Sequence, residues 1–364
     1  MNAPRTVVVA GASGVIGLAA TNRLVKQGAT VLALSRRAPI ALGTAQHVPV
    51  DLADSHACRS FASHHRDVSH LVYAAVKEAP GLILGWSDPE LIRANTTMFV
   101  GLLDALIEHA PGLRHVTLLQ GTKAYGVHLD HSVAIPLRES SPRHPHANFY
   151  FTQEDALRER AADRGFTFTI LRPQIVFGEA LGSNMNPLAA IGAYGALLAA
   201  EGAPLYYPGG LRHVSEAVDA DLVAAVIDWC SEAPDAAGET FNVTNGDVFT
   251  WPDIWPACAL ALDMELGESR PQSLVAFFAS RTQRWSELAD RHQLHAPRDL
   301  DEFLGQSAIY ADMLLDRDRT AIGIPVLAST IKLREAGFGA CVDTAKMVAR
   351  LLGRLRDQRL LPVR

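Results

Sequence analysis

The chain has 364 residues, a formal net charge of −6 and 20% charged residues, values typical of an ordinary globular protein with room for a large core. This charge, without a long basic run, argues against nucleic acid as a partner. No apolar run reaches the length of a membrane span and the N-terminus lacks a signal-peptide pattern, so we expect a cytoplasmic protein with no membrane contact. Its four cysteines are widely spaced, form no Cys-x-x-Cys motif and fit reduced thiols.

The N-terminal stretch combines a run of β-branched residues with three regularly spaced glycines. Residues 6–10 predict a buried strand, and Gly11, Gly14 and Gly17 follow it before a helical segment. Gly11 permits a sharp turn, Gly14 lets a diphosphate approach the backbone, and Gly17 lets the helix pack against the strand. An ordinary tight turn would use the same glycines, but their position between a strand and a helix favours a dinucleotide site.

The second predicted strand, Thr30–Leu34, ends at Ser35, Arg36 and Arg37. In Rossmann folds that prefer NAD, an acidic residue at this position holds the ribose 2′-hydroxyl. Two arginines instead offer forked donors and a permanent charge to a 2′-phosphate. Arginines at a strand end are also compatible with plain solvation, but beside the glycine loop they favour NADPH over NADH.

Strands and helices alternate from residue 6 to residue 164, which predicts a Rossmann-type α/β fold with a doubly wound parallel sheet. The later strands are predicted at residues 46–50, 69–74, 114–120 and 166–171. Asp51 and Leu52 follow the third strand, where this fold often flanks the adenine. Ala74 and Ala75 end the fourth strand, where small side chains leave space for a cofactor.

The pattern changes after residue 178. Residues 185–200 and 219–230 predict helices, residues 240–243 a short strand, and the sequence from Trp251 onward is mainly helical. We therefore expect an NADP(H)-binding Rossmann domain over residues 1–180, with later sheet elements near 212–245. A smaller, mostly helical substrate-binding lobe is expected over residues 181–364. Asn95, on a helix predicted over residues 88–109, is either exposed or bonded to the backbone of the next strand.

Two segments, the first directly after the fifth predicted strand, carry the candidate catalytic residues. They read Gly121-Thr-Lys-Ala-Tyr125 and Asn148-Phe-Tyr-Phe-Thr-Gln-Glu-Asp155. With the glycine loop, they resemble the extended short-chain dehydrogenases/reductases, although Glu154 occupies the position of the usual lysine and Gly121 that of the usual serine or threonine. Both departures match the progesterone 5β-reductase/iridoid synthase family, whose patterns are Gly-x-Lys-x-Tyr and Asn-Phe-Tyr-x-x-x-Glu-Asp.

The resemblance covers most of residues 6–262 and is thin beyond them. Residues 73–78 lack the Thr-Trp pattern of the plant members, and the C-terminal lobe lacks their aromatic-rich segment. Both regions line the substrate pocket in that family, so the resemblance leaves the substrate open.

The resemblance implies NADPH-dependent 1,4-reduction of an enone or enal, in which hydride adds to the β-carbon and negative charge develops on the carbonyl oxygen. Tyr150 would hold the enolate oxygen through its hydroxyl, and Lys123 would orient Tyr150 or lower its pKa. The proton for the α-carbon would come from solvent or from an unassigned donor. From the residues alone, Tyr150 is also compatible with a half-buried aromatic and Lys123 with a surface cation.

The expected partner is a small hydrophobic substrate with a conjugated carbonyl group, and a homodimer is a fold-level analogy only. Its pocket is expected to include Phe149, Trp86 and Tyr194. The histidines lack metal-ligand spacing with cysteine or acidic partners, so no metal site is expected. At residues 183–185, an ordinary helix cap competes with cofactor contact. The residues expected to contact the cofactor are Gly11, Ser13, Gly14, Val15, Ile16, Gly17, Ser35, Arg36, Arg37, Asp51, Leu52, Ala74, Ala75, Gln120, Tyr150, Pro173, Ile175, Val176, Ser183 and Met185.

Two other functions are compatible with the same fold. The first is a carbonyl reductase or sugar epimerase, in which Lys123 would replace the missing lysine. The second is a non-catalytic NADP(H)-binding regulatory protein, which Glu154 at the lysine position permits.

Overall fold

A computed structural model describes residues 5–39, 41–80, 82, 86–129, 133–210, 212–318 and 325–363. The strands of this part are β1 (Thr6–Ala10), β2 (Thr30–Leu34), β3 (Gln46–Val48), β4 (His70–Tyr73), β5 (His115–Leu119), β6 (Thr167–Pro173), β7 (Val176–Phe177), β8 (Leu205–Tyr207), β9 (Val214–Ser215), β10 (Val218–Asp219), β11 (Glu239–Val243), β12 (Phe249–Thr250) and β13 (Leu266–Ser269). Its α-helices are α1 (Val15–Lys26), α2 (Ser55–His64), α3 (Pro89–His109), α4 (Phe149–Arg164), α5 (Pro187–Ala200), α6 (Ala220–Cys230), α7 (Trp251–Ala261), α8 (Leu274–Ala279), α9 (Thr282–Arg291), α10 (Leu300–Leu304), α11 (Ser307–Leu315), α12 (Ile331–Glu335) and α13 (Thr344–Asp357).

Seven strands form one parallel sheet in the order β3-β2-β1-β4-β5-β6-β11. The strand order reverses at β1, which pairs with β2 on one side and β4 on the other. Open α/β sheets bind ligands at such a reversal, outside the carboxyl ends of the strands. The predicted Rossmann-type, doubly wound parallel sheet is confirmed.

Helices cover both faces of this sheet. Apolar residues of α1 and α6 pack on one face, and those of α2, α3 and α4 pack on the other. Every residue of β1 is buried because the strand is central and covered on both sides. Among the described helices, none has both the length and the apolar character that a bilayer crossing requires.

A second hydrophobic core joins several helices of the C-terminal half. Helix α5 lies at its centre and is buried from Pro187 to Leu198, as expected for a helix that is apolar on all sides. Trp251, Trp255 and Trp285 are fully buried in the same core. The predicted helical C-terminal region is confirmed, whereas the domain boundary at residue 180 stays a prediction.

The structure differs from the predicted elements at strand β13. Beyond Trp251 we expect little strand, yet β13 pairs in parallel with β8. Its side chains are exposed or half-buried, so no alternating apolar pattern marks it in the sequence. Other differences concern element ends, such as the third strand, which ends at Val48 rather than at residue 50.

Candidate active site

A cavity of about 470 Å³ lies at the carboxyl ends of the central strands. Its lining begins at the glycine loop after β1 and reaches Ala74 after β4, Gln120 after β5 and Pro173 at the end of β6. All residues expected to contact the cofactor line it except Gly17. A larger, more polar groove of about 750 Å³ near Arg5 lies away from these strand ends, so we do not place the site there.

The glycine loop has the geometry of a phosphate cradle. Gly11 adopts a positive φ of 85°, and a Cβ there would lie 2.7 Å from the Ala75 nitrogen. A Cβ at Gly17 would lie 2.1 Å from the Gly11 carbonyl oxygen. Gly17 therefore supports the loop from the helix instead of lining the cavity. Helix α1 starts after Gly14 with no side-chain cap, which leaves its first N–H groups available to an anion.

The end of β2 presents two cations to the same cavity. Arg36 and Arg37 are exposed, while Ser35 is buried and donates a hydrogen bond from its hydroxyl to the Arg37 carbonyl at 2.6 Å. The Arg37 guanidinium approaches Gly182 on the opposite wall, where a Cβ would lie 3.5 Å from Nη2. Two guanidinium groups beside a dinucleotide cleft suit the binding of a further phosphate group.

Asn148 fixes Tyr150 relative to Lys123. As the N-cap of α4, it accepts a hydrogen bond from the Tyr150 amide at 3.0 Å, and its Nδ2 donates to the Lys123 carbonyl at 3.1 Å. Gln120, at the end of β5, donates to the Tyr150 carbonyl at 3.0 Å. A Cβ at Gly121 would lie 3.4 Å from the Tyr150 hydroxyl, so the glycine keeps a side chain away from it.

Trp86 joins the two predicted catalytic side chains. The Lys123 ammonium lies 4.0 Å from the centroid of the indole, and the Tyr150 ring centroid lies 5.1 Å from it. Phe149 packs against the same indole at 4.8 Å. These rings line the cavity, so the structure brings Lys123, Tyr150, Trp86 and Phe149 together.

The electrostatics differ from expectation at Tyr150. Burial raises the pKa of its phenol, the Glu78 carboxylate raises it further, and the Arg172 charge opposes both. The net shift of the Tyr150 pKa is upward because burial dominates, and the role of Lys123 in orienting Tyr150 or lowering this pKa stays a prediction. Burial also lowers the pKa of Lys123 to about 8, against the opposing charge of Glu78. Tyr150 is thus a neutral hydrogen-bond donor at neutral pH.

Glu154 lies outside the cavity, in a separate groove of about 340 Å³. Its carboxylate forms ion pairs with Arg158 at 2.9 Å, with Arg172 at 3.3 Å and with Arg143 at 3.5 Å. Arg172 in turn donates from Nε to Gln120 Oε1 at 3.0 Å. The position of the usual lysine therefore belongs to an arginine–carboxylate network in which Glu154 and Arg172 are buried and Arg143 and Arg158 are exposed.

In the C-terminal half, one sequence expectation is corrected and one alternative that the sequence left open is decided. Tyr194 does not line the cavity, because its ring is buried in the helical core against Phe277 and its hydroxyl accepts from Gln272 at 2.7 Å. The N-cap of α5 is Asn186, so residues 183–185 are not its cap and instead line the cavity. Met185 Sδ lies 3.9 Å from the Lys123 ammonium.

Sequence reasoning gave no role to Glu78 or Tyr310, two polar residues that line the cavity. Burial raises the pKa of Glu78, opposed by a hydrogen bond with Asn184 and by the Lys123 charge. Burial also raises the pKa of Tyr310, and the Glu78 charge adds to this. No local motif marks these residues. The sequence left Asn95 either exposed or bonded to the next strand. It is fully buried, and it binds the Lys77 backbone after β4 rather than the next strand.

Comparison with known families and curated proteins places the chain among nucleotide-binding enzymes. The model of the NAD dependent epimerase/dehydratase family matches residues 7–244. The (S)-8-oxocitronellyl enol synthase of Antirrhinum majus is 29% identical over 331 residues, which cover 87% of this chain and 80% of that protein. The 3-oxo-Δ4,5-steroid 5β-reductase of Arabidopsis thaliana is 33% identical over 263 residues, covering 68% of this chain and 65% of that protein.

Solved structures agree at the level of the fold. UDP-glucose 4-epimerase of Thermotoga maritima superposes with a TM-score of 0.66 and 17% identity, covering 97% of this chain and 99% of that one. The Thermus thermophilus UDP-glucose 4-epimerase, solved with NAD, gives a TM-score of 0.63 at 18% identity, covering 96% and 99%.

Proposed function

The chain belongs to the NAD dependent epimerase/dehydratase family, and we propose that within it the protein is an NADPH-dependent reductase of activated carbon–carbon double bonds. Its curated relatives include an 8-oxocitronellyl enol synthase and a steroid 5β-reductase. They confirm the resemblance to the progesterone 5β-reductase/iridoid synthase family. The reaction is the 1,4-reduction of an enone or enal.

One observation carries this proposal. A single cavity contains the glycine loop, the arginines after β2, the Tyr150 hydroxyl and the Lys123 ammonium. A dinucleotide that lies along the strand ends from the glycine loop would bring its reactive ring toward Tyr150. The apolar wall formed by Trp86, Phe149 and Met98 suits a small hydrophobic substrate.

The residues fit a nicotinamide dinucleotide, because the glycine loop packs so closely on the chain after β4 that a Cβ at Gly11 would collide with the Ala75 backbone, and the start of α1 has no side-chain cap. NADPH, rather than NADH, is proposed because Arg36 and Arg37 stand where an acidic residue would hold a free ribose hydroxyl. When bound, the dinucleotide supplies a hydride. The protein then has to stabilise the negative charge that develops on the substrate carbonyl oxygen.

Tyr150 and Lys123 are proposed to provide that stabilisation. A neutral phenol donates a hydrogen bond to the enolate oxygen, and a nearby ammonium adds an attractive charge. Because both groups are held in a buried site, their interaction with the oxygen is stronger than in water. The enolate then takes a proton on oxygen, giving an enol, or on the α-carbon, giving a saturated carbonyl compound.

The proposal is tested by NADPH oxidation with a small enal, an enone and a saturated aldehyde. We expect turnover of the first two, with deuterium from [4-²H]NADPH at the β-carbon of the product. Tyr150→Phe should lower kcat by about 10²–10³-fold, as for other lost oxyanion donors. An alcohol product, or tight NADPH binding without turnover of any compound, would contradict the proposal.

A further inference from the structure

A rigid segment after β4 holds Glu78 at the cavity. Asn95, buried on α3, accepts a hydrogen bond from the Lys77 amide at 2.7 Å and donates to the Lys77 carbonyl at 2.8 Å. Its Nδ2 also donates to the Leu91 carbonyl at 3.0 Å. Both backbone groups of the residue before Glu78 are therefore anchored to the core, which fixes the direction in which the Glu78 side chain leaves the backbone.

The Glu78 carboxyl lies among the reactive groups of the cavity. It lines the same space as Lys123, Tyr150 and Tyr310, which come from three other parts of the chain. Its Oε1 is buried and has no hydrogen-bond partner among the described residues. A buried polar atom without a partner is costly in a folded protein, so it calls for an explanation, and a catalytic role is one such explanation.

Glu78 holds its proton more readily than an ordinary surface carboxyl group does. Burial raises its pKa, while the charge of Lys123 and a hydrogen bond with Asn184 oppose the rise. The cavity therefore contains two kinds of proton donor. The phenol of Tyr150 suits an oxygen atom, and a carboxylic acid suits transfer to carbon, because its proton leaves more readily.

We propose that protonated Glu78 is the acid that delivers the proton to the α-carbon in the reduction described above. This inference rests on the proposed function. Once hydride has added to the β-carbon, the electron pair of the enolate carbon–carbon double bond forms the new Cα–H bond. The Glu78 O–H bond breaks, the carbonyl re-forms, and the carboxylate regains a proton from solvent. One hydride and one solvent proton are consumed for each double bond, and the product is a saturated carbonyl compound rather than an enol.

The first experiment reads the stereochemistry of the wild-type product. An enone with a methyl group on its α-carbon acquires a stereocentre there when the carbon is protonated. Reduction by the wild-type protein in D₂O should give one enantiomer with deuterium at the α-carbon. A racemic α-carbon would mean protonation in bulk solvent and would overturn the role of Glu78. Failure of the reductase proposal itself reads differently, as absence of [4-²H]NADPH label at the β-carbon.

The second experiment needs no hydride transfer. In the reverse direction, the Glu78 carboxylate removes the α-proton, so the protein with NADP⁺ should catalyse α-hydrogen exchange of the saturated ketone in D₂O. We expect Glu78→Gln to slow this exchange by about 10²–10⁴-fold, and Glu78→Asp, which keeps the acid, to retain part of it. Glu90→Gln, which removes an exposed carboxyl at the start of α3, should exchange like wild type.

The thermal midpoint and the NADPH affinity of each variant are measured to check that it is folded. If Glu78→Gln folds, binds NADPH and exchanges the α-hydrogen at the wild-type rate, the proposal is wrong. If it does not fold, the other two measurements test the proposal. A racemic wild-type product, or α-hydrogen exchange by Glu78→Asp as fast as by Glu90→Gln, would overturn it.

Discussion

Glu154 occupies the position of the usual lysine and forms an ion pair there instead. Its carboxylate pairs with Arg172, and both side chains are only 8% exposed. A lysine at position 154 would instead meet Arg172, Arg158 and Arg143. In the proposed reaction, the cation of the site would instead be Lys123, on the 3₁₀ turn Thr122–Tyr125.

Restoring the usual lysine should therefore damage the fold. We expect Glu154→Lys to lower the free energy of unfolding by about 3–5 kcal/mol, because it leaves the buried Arg172 without its partner and adds a like charge. Urea denaturation measures the loss. Glu159→Lys, at an exposed position on the same helix, is the matched control and should change stability by less than about 1 kcal/mol. Equal losses in the two variants would contradict the network.

Lys123 predicts a pH dependence of the reaction. Its ammonium is present below the lowered pKa of about 8 and is lost as the pH rises through that value. Because the charged form is the one proposed to stabilise the enolate, kcat/KM should fall by about tenfold per pH unit above pH 8. Lys123→Arg, which stays charged, should remove this fall even if the rate is lower. A flat wild-type profile through pH 8 would argue against a charged role.

At the scale of elements, the turn from β1 into α1 is the proposed binding site of the cofactor phosphates. A methyl group at Gly17 would collide with the Gly11 carbonyl, so the loop would have to move away from α1. We expect Gly17→Ala to weaken NADPH binding by at least about tenfold, or 1.4 kcal/mol, as measured by titration of cofactor fluorescence. Gly101→Ala, in open space on α3, is the control. Unchanged affinity in Gly17→Ala would show that the loop tolerates the shift.

The sequence predicts a helix or strand well where buried and exposed positions alternate with a regular period or where a short motif marks its end. The valines of β1, the glycines after it and the apolar spacing of α3 each specify their element within a short window. Strand β13 escapes this reasoning, because its exposed residues carry no alternating pattern and its pairing depends on β8 far away. Tyr194 escapes it for the opposite reason, since a helix that is apolar on all sides does not reveal which side meets a cavity.

At the scale of the whole molecule, the cavity is closed by chain segments that are distant in sequence. The strand ends provide one wall, and Ser183, Met185 and Tyr310 of the C-terminal half provide another. The glycine loop and the motifs around Lys123 and Tyr150 are recognisable alone. Glu78 and Tyr310 become cavity residues only when the fold brings α11 close to the segment after β4, which no spacing in the sequence encodes.

A ligand that bridges the two walls should stabilise the whole chain. At a concentration of 100 times its Kd, a bound dinucleotide adds about 2.7 kcal/mol to the free energy of unfolding. We expect NADPH to raise the Tm more than NADH does, and Arg36→Asp to weaken NADPH binding by about a hundredfold while changing NADH little. Arg66→Asp, an exposed charge reversal elsewhere, is the control. Equal losses for both dinucleotides would refute a role in phosphate recognition.

Asn148 binds both the Lys123 carbonyl and the Tyr150 amide, which belong to two separate segments of the chain. A single side chain thus couples the positions of the two proposed reactive groups. Asn148→Ala would leave the Tyr150 amide and the Lys123 carbonyl without their shared partner, so one substitution should loosen both groups together.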